Sequence, residues 1–456
     1  MSQLGRKPVI AVPYWPGSNG DFDAINRIQD CAMTATPLYF HFGNERRLEE
    51  NARRLAECDG AFVPGGFPYE DRLGFGRVPA SIKQFSDTMV KMAQDGKPVL
   101  AICAGDQIAQ TMRLALPKPY KVSMLSNIYD RHAEILYDGF LDRVVHTRLV
   151  SAPERNAFTR NYSRNEVMPQ IIDHGGGRFW TDTETLQYLL ENDLILKQYC
   201  DEDGNVVDNF PTNPNGSMLN IESITNLRGN LKLGMCHDER TTNALYQDRA
   251  NLSLESMREY IEDGCPDLGV HAHSRTGEIP IRLKDYSYLS PRLDPSRTYD
   301  IYVKMLTDDN ERTTAQLFLG ADIDRRRLIR LELRDANIED AKRALVEIAK
   351  MDVLDGIMLK KDLPYVVGPD GRIFSYEVVD RSGGKITRAF VEQPTIVEGF
   401  PVLHEDVPAP NPKAYGLKQR FRENSMLGMV TNVQTGSVFF FPDEASRQKA
   451  VEELFY

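Results

Sequence analysis

The chain has 456 residues, 41% hydrophobic and 27% charged, the composition of a globular protein of two or three domains. Its formal charge of −11 argues against a nucleic-acid footprint, and no apolar run approaches the roughly 20 residues of a membrane span. Six scattered cysteines without a Cys-x-x-Cys pair argue against a zinc ribbon and, with no signal-peptide pattern, lead us to expect a cytoplasmic protein.

The first third alternates strand and helix. Pro8 to Tyr14 reads as a buried strand that ends in the turn-rich loop Trp15 to Asp21. A helix with Ile25, Ile28 and Ala32 on one face follows, then a second strand over Leu38 to Phe42. Leu48 to Cys58 has the pattern of an amphipathic helix, Gly60 to Val63 of a third strand, Pro79 to Gln94 of another helix, and Pro98 to Ile102 of a fourth strand. Such alternation implies a parallel sheet with helices on both faces, and ligand chemistry collects at the carboxyl ends of its strands. Three loops fall there: Pro16 to Asp21, Pro64 to Gly66, and Cys103 to Gly105.

Cys103 ends the fourth strand, and Ala104-Gly105 opens a helical pattern through Gln110. A strand that turns into a helix on a Cys between small residues has the form of a nucleophile elbow, where bulk would clash. The helix N-terminus favours thiolate there. Pro64-Gly-Gly-Phe67 follows the third strand, and its Gly65 and Gly66 amides can help form an oxyanion hole. A thiol nucleophile needs a base and the base an orienter. Leu231 to Arg240 supplies both: it reads as a strand running toward a helix, and on an extended segment His237 and Glu239 share a face.

These motifs resemble the glutaminase subunit of phosphoribosylformylglycinamidine synthase (the PurQ type), a class I glutamine amidotransferase family of purine biosynthesis. The likeness covers roughly residues 8 to 245. It rests on Pro16-Gly-Ser-Asn19, Pro64-Gly-Gly-Phe-Pro-Tyr-Glu-Asp71, the Cys103 elbow with Gln107, His174-Gly-Gly-Gly-Arg-Phe179, Asn213-Pro-Asn-Gly-Ser217, and Asn226-Leu-Arg-Gly-Asn230 leading to His237-Asp-Glu-Arg240. The resemblance implies an α/β, flavodoxin-like amidotransferase domain with a mainly parallel sheet. It also implies hydrolysis of L-glutamine by Cys103, His237 and Glu239, with the Gly65, Gly66, Phe67 and Ala104 region stabilising the oxyanion and Gln107 positioning glutamine. Ammonia would pass to an ATP-dependent synthetase of the PurL type that makes formylglycinamidine ribonucleotide, with a PurS-type subunit as a further partner. No metal or cofactor is expected in this chain, and ATP and Mg belong to the synthetase.

Three positions depart from the family pattern: Ala101 before the nucleophile, Asp106 after it, and Gly176 in the His174 loop. They leave open a different acceptor, such as a modified nucleotide or nucleobase, and a scaffold that keeps the fold without turnover. The division expected is residues 1–245 for the amidotransferase, 246–404 for an α+β domain with a faint PurS-like order, and 405–456 for a Pro-rich strap with a strand and helix. Within the second part, Leu252 to Tyr260 reads as a short amphipathic helix, and Tyr299 to Leu306 and Leu328 to Leu333 as strands. Asp335 is expected to cap a helix, with a strand near Asp355 to Leu359. His271 and His273 alternate like a strand pair without further ligands nearby. Farther on, Ser425 to Val433 and Ser437 to Phe441 read as strands and Asp443 to Leu454 as a helix. The stretch from Leu125 to Val167 carries no assignable pattern.

Overall fold

In the computed structural model, the apolar runs of the first third become parallel strands. The structure describes residues 5–131, 134–137, 139–240, 251–269, 292–303, 309–335, 337–343, 365–380, 387–393, 400–405 and 430–453. The chain divides into two units, residues 1–283 and 284–456.

The first unit opens with β1 (Val9–Tyr14), α1 (Asp21–Asp30), β2 (Thr34–Tyr39), α2 (Glu45–Glu57), β3 (Gly60–Val63), α3 (Arg77–Ala80), α4 (Lys83–Gln94), β4 (Val99–Ile102) and α5 (Ala104–Thr111). β3 and β4 are buried along their whole length. Full burial of a side chain such as Phe62 or Leu100 contributes roughly 1.5–3 kcal/mol. The Asn44 side chain caps α2 by accepting from the Arg47 amide at 3.1 Å, so the helix starts three residues before the expected Leu48. β2 likewise starts earlier than Leu38 and includes Pro37, which is tolerated because β2 is the edge of the sheet.

The chain continues through β5 (Ser123–Leu125), β6 (Ile128–Arg131), β7 (Glu134–Tyr137), β8 (Leu141–Leu149), β9 (Val167–His174), β10 (Arg178–Trp180), α6 (Thr183–Glu191), β11 (Ile195–Cys200), β12 (Ile221–Ile224), β13 (Leu231–Gly234) and α7 (Leu252–Glu262). The main sheet runs β2-β1-β3-β4-β13-β12-β11-β8-β9. It is parallel from β2 to β13 and antiparallel from there to β9. The expected parallel sheet is therefore present, extended by an antiparallel wing. The stretch after Leu125 supplies the β6–β7 hairpin and β8 of that wing. α7 buries Leu254, Met257, Tyr260 and Ile261 in the same core as Ile10, Phe62 and Leu100, so the packing of the first unit continues beyond residue 245.

The second unit is sheet-rich α+β. It comprises β14 (Thr298–Val303), α8 (Asn310–Leu319), β15 (Asp324–Leu333), β16 (Tyr365–Val367), β17 (Ile373–Asp380), β18 (Thr387–Gln393), β19 (Phe400–Glu405), β20 (Val430–Phe441) and α9 (Glu444–Glu453). Its strands form an antiparallel sheet in the order β18-β17-β16-β14-β15-β20-β19. Three local features differ from the sequence reading. α8 has no counterpart there, and its cap is Asp309, which accepts from the Arg312 amide at 3.0 Å. The helical residues after 337 are capped by Asn337, which accepts from the Glu339 amide at 3.0 Å, rather than by Asp335. β20 runs unbroken through Gly436, because it pairs along its length with β15 and that pairing overrides the local weakness of a strand glycine. The strand expected near residues 355–359, the His271/His273 pair and the Pro-rich 407–413 lie outside the described residues. Among the described residues no helix is long and apolar enough to cross a membrane.

Candidate active site

Cys103 sits between β4 and α5 with φ 56° and ψ −113°. A residue other than glycine held in such backbone strain costs of order 1–3 kcal/mol and persists only where its surroundings impose it. Here the Cys103 amide donates to the Gly234 carbonyl at 3.0 Å, and the Gln107 amide donates to the Cys103 carbonyl at 3.1 Å. Gly105 lets α5 close onto β3, since a Cβ there would lie 2.1 Å from the Val63 carbonyl oxygen. The Cys103 thiol donates to the Asp173 carbonyl at 3.5 Å.

The loops after β1 and β3 are laced together beside the thiol. Gly20 donates to the Gly65 carbonyl at 3.2 Å and Phe67 to the Gly17 carbonyl at 2.9 Å. A Cβ at Gly65 would stand 3.0 Å from His237 Cε1 and 3.2 Å from Cys103 Cβ, so the backbone passes close against both. The Phe67 amide is committed to Gly17, and the Phe67 ring is instead partly exposed, 5.9 Å from the Phe140 ring.

His237 Nδ1 lies 2.5 Å from Glu239 Oε1, with both side chains buried. The segment that carries them is a turn, not the expected extension of a strand, because β13 ends at Gly234. Asp238 between them turns the opposite way. It is buried in an ion pair with Lys232 and accepts from Gln170 Nε2 at 2.7 Å. Lys197 Nζ donates to Gln170 Oε1 at 3.2 Å, and Thr147 Oγ1 donates to the same oxygen at 2.6 Å. Burial opposes ionisation of Asp238, but Lys232 and Lys197 outweigh it and hold the carboxyl at about 2. The anchor on residue 238 thus brings residues 237 and 239 together on its other side. Burial likewise opposes a charged His237, yet Glu239 and then Cys103 outweigh it and push the imidazole up to about 10.

Cys103, His237, Gly66, Phe67 and Gln107 share the walls of one cleft of ≈ 350 Å³. Gly65, Ala104 and Glu239 do not line it. Gln107 donates to the Gly176 carbonyl at 2.8 Å and so also holds the loop after β9. Asp71, Asp173, His174 and Arg240 line the cleft too, and sequence reasoning gave them no role although each lies in or beside a quoted motif. Arg240 bonds Asp173 at 2.9 Å and Asp23 at 3.4 Å, so it ties α1 to the end of β9. Two of the departures from the family pattern find a physical setting. Asp106 is buried away from the cleft, accepts from Gln110 at 2.9 Å, and is pushed up to about 8 by burial. A Cβ at Gly176 would meet the Phe75 ring at 2.4 Å, so a side chain there has no room. Among the described residues no group of three or more His, Cys, Asp or Glu is placed to hold a metal ion.

A thiol, an imidazole paired with a carboxylate, and three glycines (Gly66, Gly175 and Gly176) thus meet at one opening. Residues 7–260 match the family model of the CobB/CobQ-like glutamine amidotransferase domain. The chain belongs to that family. It is 33% identical over 252 residues to the phosphoribosylformylglycinamidine synthase subunit PurQ of Methanocaldococcus jannaschii, covering 55% of this chain and 97% of the relative. The PurQ subunit of Methanothrix thermoacetophila is 30% identical over 266 residues, covering 56% and 98%. A solved structure, that of PurLQS from Thermotoga maritima, aligns with a TM-score of 0.42 and 23% identity, over 56% of this chain and 99% of that one. By its family and its PurQ relatives the chain is a glutamine amidotransferase of the PurQ type, an enzyme.

Proposed function

We propose that the chain hydrolyses L-glutamine to glutamate and ammonia, and that Cys103, His237 and Glu239 carry the reaction. The observation that carries this reading is the strained Cys103 elbow facing the same cleft as a His237 oriented by Glu239 at 2.5 Å. Cys103 Sγ, as thiolate, attacks the carboxamide carbon, and the amides of Gly66 and Ala104, one in the cleft wall and one next to Cys103 in the chain, stabilise the oxyanion. His237, favoured as imidazolium by Glu239, gives its proton to the leaving nitrogen, and ammonia departs. The same imidazole then takes a proton from water, which opens the thioester and releases glutamate. Gln107 helps position the substrate through the loop it holds.

Ammonia then passes to an ATP-dependent synthetase of the PurL type, assisted by a PurS-type subunit, with formylglycinamide ribonucleotide as the acceptor. ATP and Mg act in that partner. This step draws support from the PurQ relatives, which are subunits of phosphoribosylformylglycinamidine synthase. A second reading keeps the glutaminase and changes the acceptor to a modified nucleotide or nucleobase. It is favoured by the sheet of residues 284–456, since the PurQ relatives match only 55–56% of this chain.

The test is glutamate release from glutamine by the full chain and by Cys103→Ala, with and without a PurL-type synthetase, ATP and acceptor. Release that Cys103→Ala abolishes supports the glutaminase, and stimulation by the synthetase supports the purine acceptor. Release that the synthetase never stimulates favours the second reading. Release that persists in Cys103→Ala removes the proposed nucleophile.

A further inference from the structure

His174 ends β9 and lines the cleft, buried to 2% exposure. Its ring nitrogens can be assigned from their surroundings. The Asn127 side-chain nitrogen lies 2.8 Å from the Gly139 carbonyl and 2.7 Å from the His174 carbonyl. Both neighbours are acceptors, so that end of Asn127 is its NH2 group and the other is its oxygen. That oxygen accepts from the Gly177 amide at 3.0 Å and stands 3.2 Å from His174 Nδ1. Two acceptors do not bond, so His174 Nδ1 carries the proton and donates it. Nε2 of a neutral ring is then a bare lone pair.

The ring stays neutral at working pH. Burial, and after it the neighbouring His237, hold His174 down at about 3. Nε2 is buried and makes no hydrogen bond with a described residue. Gly177 leaves room for the ring, since a Cβ there would lie 2.1 Å from His174 Cε1. A buried acceptor on a residue that lines the cleft, fixed in one tautomer and without a donor among the described residues, is suited to receive one from a ligand.

We infer that His174 accepts, at Nε2, a hydrogen bond from the carboxamide N–H of glutamine held against Cys103. The inference rests on the glutaminase reading above. His174 and His237 then address the same nitrogen in opposite senses. As the thiolate forms its bond to carbon, the N–H bond to His174 turns the nitrogen lone pair toward the proton on His237. The C–N bond breaks with its electron pair remaining on nitrogen, and ammonia leaves. His174 exchanges no proton, because its imidazolium is disfavoured where it sits.

The full chain is assayed with L-glutamine and with L-glutamate γ-methyl ester, whose leaving atom bears no hydrogen. His174→Asn keeps an N–H near the Nδ1 position for Asn127 and removes the Nε2 acceptor. Its kcat/KM for glutamine should fall about tenfold relative to that for the ester, the size of one hydrogen bond. His174→Gln returns an acceptor near the Nε2 position and should restore most of the ratio. An equal loss on both substrates by a folded His174→Asn chain overturns the inference, as does an unchanged ratio; an equal loss would place the donor in the amino-acid head group instead. Nitrogen NMR of ¹⁵N-histidine-labelled Cys103→Ala gives a second reading that does not depend on a variant at 174. It should show His174 protonated at Nδ1 alone, with the Nε2 signal shifting on addition of glutamine. Protonation at Nε2 overturns the inference whatever the kinetics show. Failure of the unmodified chain to turn over either substrate, with or without the synthetase, would instead count against the glutaminase reading.

Discussion

The first unit buries Asp238 against Lys232, and the second buries Asp309 against Arg325, each pair within 7% of full side-chain burial. Withdrawing such charges from water costs several kcal/mol per ion, offset only where geometry and further hydrogen bonds satisfy both partners. Both clusters add further hydrogen bonds around the pair, in different ways. Arg325 lies 3.1 Å from each Asp309 oxygen, donates to Ser437 at 2.9 Å and pairs with Glu311, which fastens the start of α8 to β15 and β20. Asp238, held by Lys232 and Gln170, fixes a turn whose two flanking residues are His237 and Glu239. The same physical device attaches a helix in one unit and shapes the candidate active site in the other. The difference lies in what flanks the anchored residue.

Four expectations break or sharpen that comparison. The largest effect is expected at Glu239→Gln, which leaves the Asp238 anchor intact and removes the charge that favours the His237 imidazolium. By analogy with the orienting carboxylate of hydrolase triads, kcat for glutamine should fall by about 10²–10⁴-fold. A fall below tenfold would show that the anchor alone positions His237.

Asp238→Ala and Arg325→Ala should each destabilise their unit by about 3–5 kcal/mol, since each leaves a buried partner charge uncompensated. Only Asp238→Ala should also lower glutaminase kcat among molecules that remain folded, read from activity per folded fraction beside thermal melts. Equal effects on kcat would erase the distinction between the clusters.

Asp106 gives a pH effect of a definite sign. Its folded pKa is raised from 3.8 to about 8, so above pH 3.8 the unfolded chain loses the proton that the folded chain retains. Stability from this group therefore falls as pH rises from about 4 toward 8. Asp106→Asn, which cannot ionise, should flatten that slope in melts at pH 5 and pH 8. An unchanged slope would mean that Asp106 ionises freely in the folded chain.

The smallest effect is expected at the exposed Lys83–Asp87 pair on α4, with side chains 81% and 63% exposed. Lys83→Ala should change stability by less than about 0.5 kcal/mol. A larger change would mean that exposed pairs contribute here on the scale of buried ones.

The sequence by itself was enough for the parallel half of the first unit and for the elbow. Those features are local: a short apolar run, a tight turn and a helix start lie within the same dozen residues from Lys97 to Gln107. Gly105 shows why, since its need for a missing side chain is set by β3, four elements earlier, and yet appears as a bare glycine in the motif. The His237-x-Glu239 spacing was legible, but its geometry was not. An extended strand and a turn both bring these two side chains together, and the choice was made by Lys232, Gln170, Lys197 and Thr147, which come from β13, β9, β11 and β8. The antiparallel wing was illegible for a related reason, because its strands alternate only in relation to neighbours far along the chain. β20 crossed a glycine, and α8 formed on an Asp309 cap held by Arg325, through pairings the local pattern does not contain. The tautomer of His174 was the most remote of these features. It follows from the two carbonyls that orient Asn127, a residue 47 positions away in the chain, and only the folded structure brings them together.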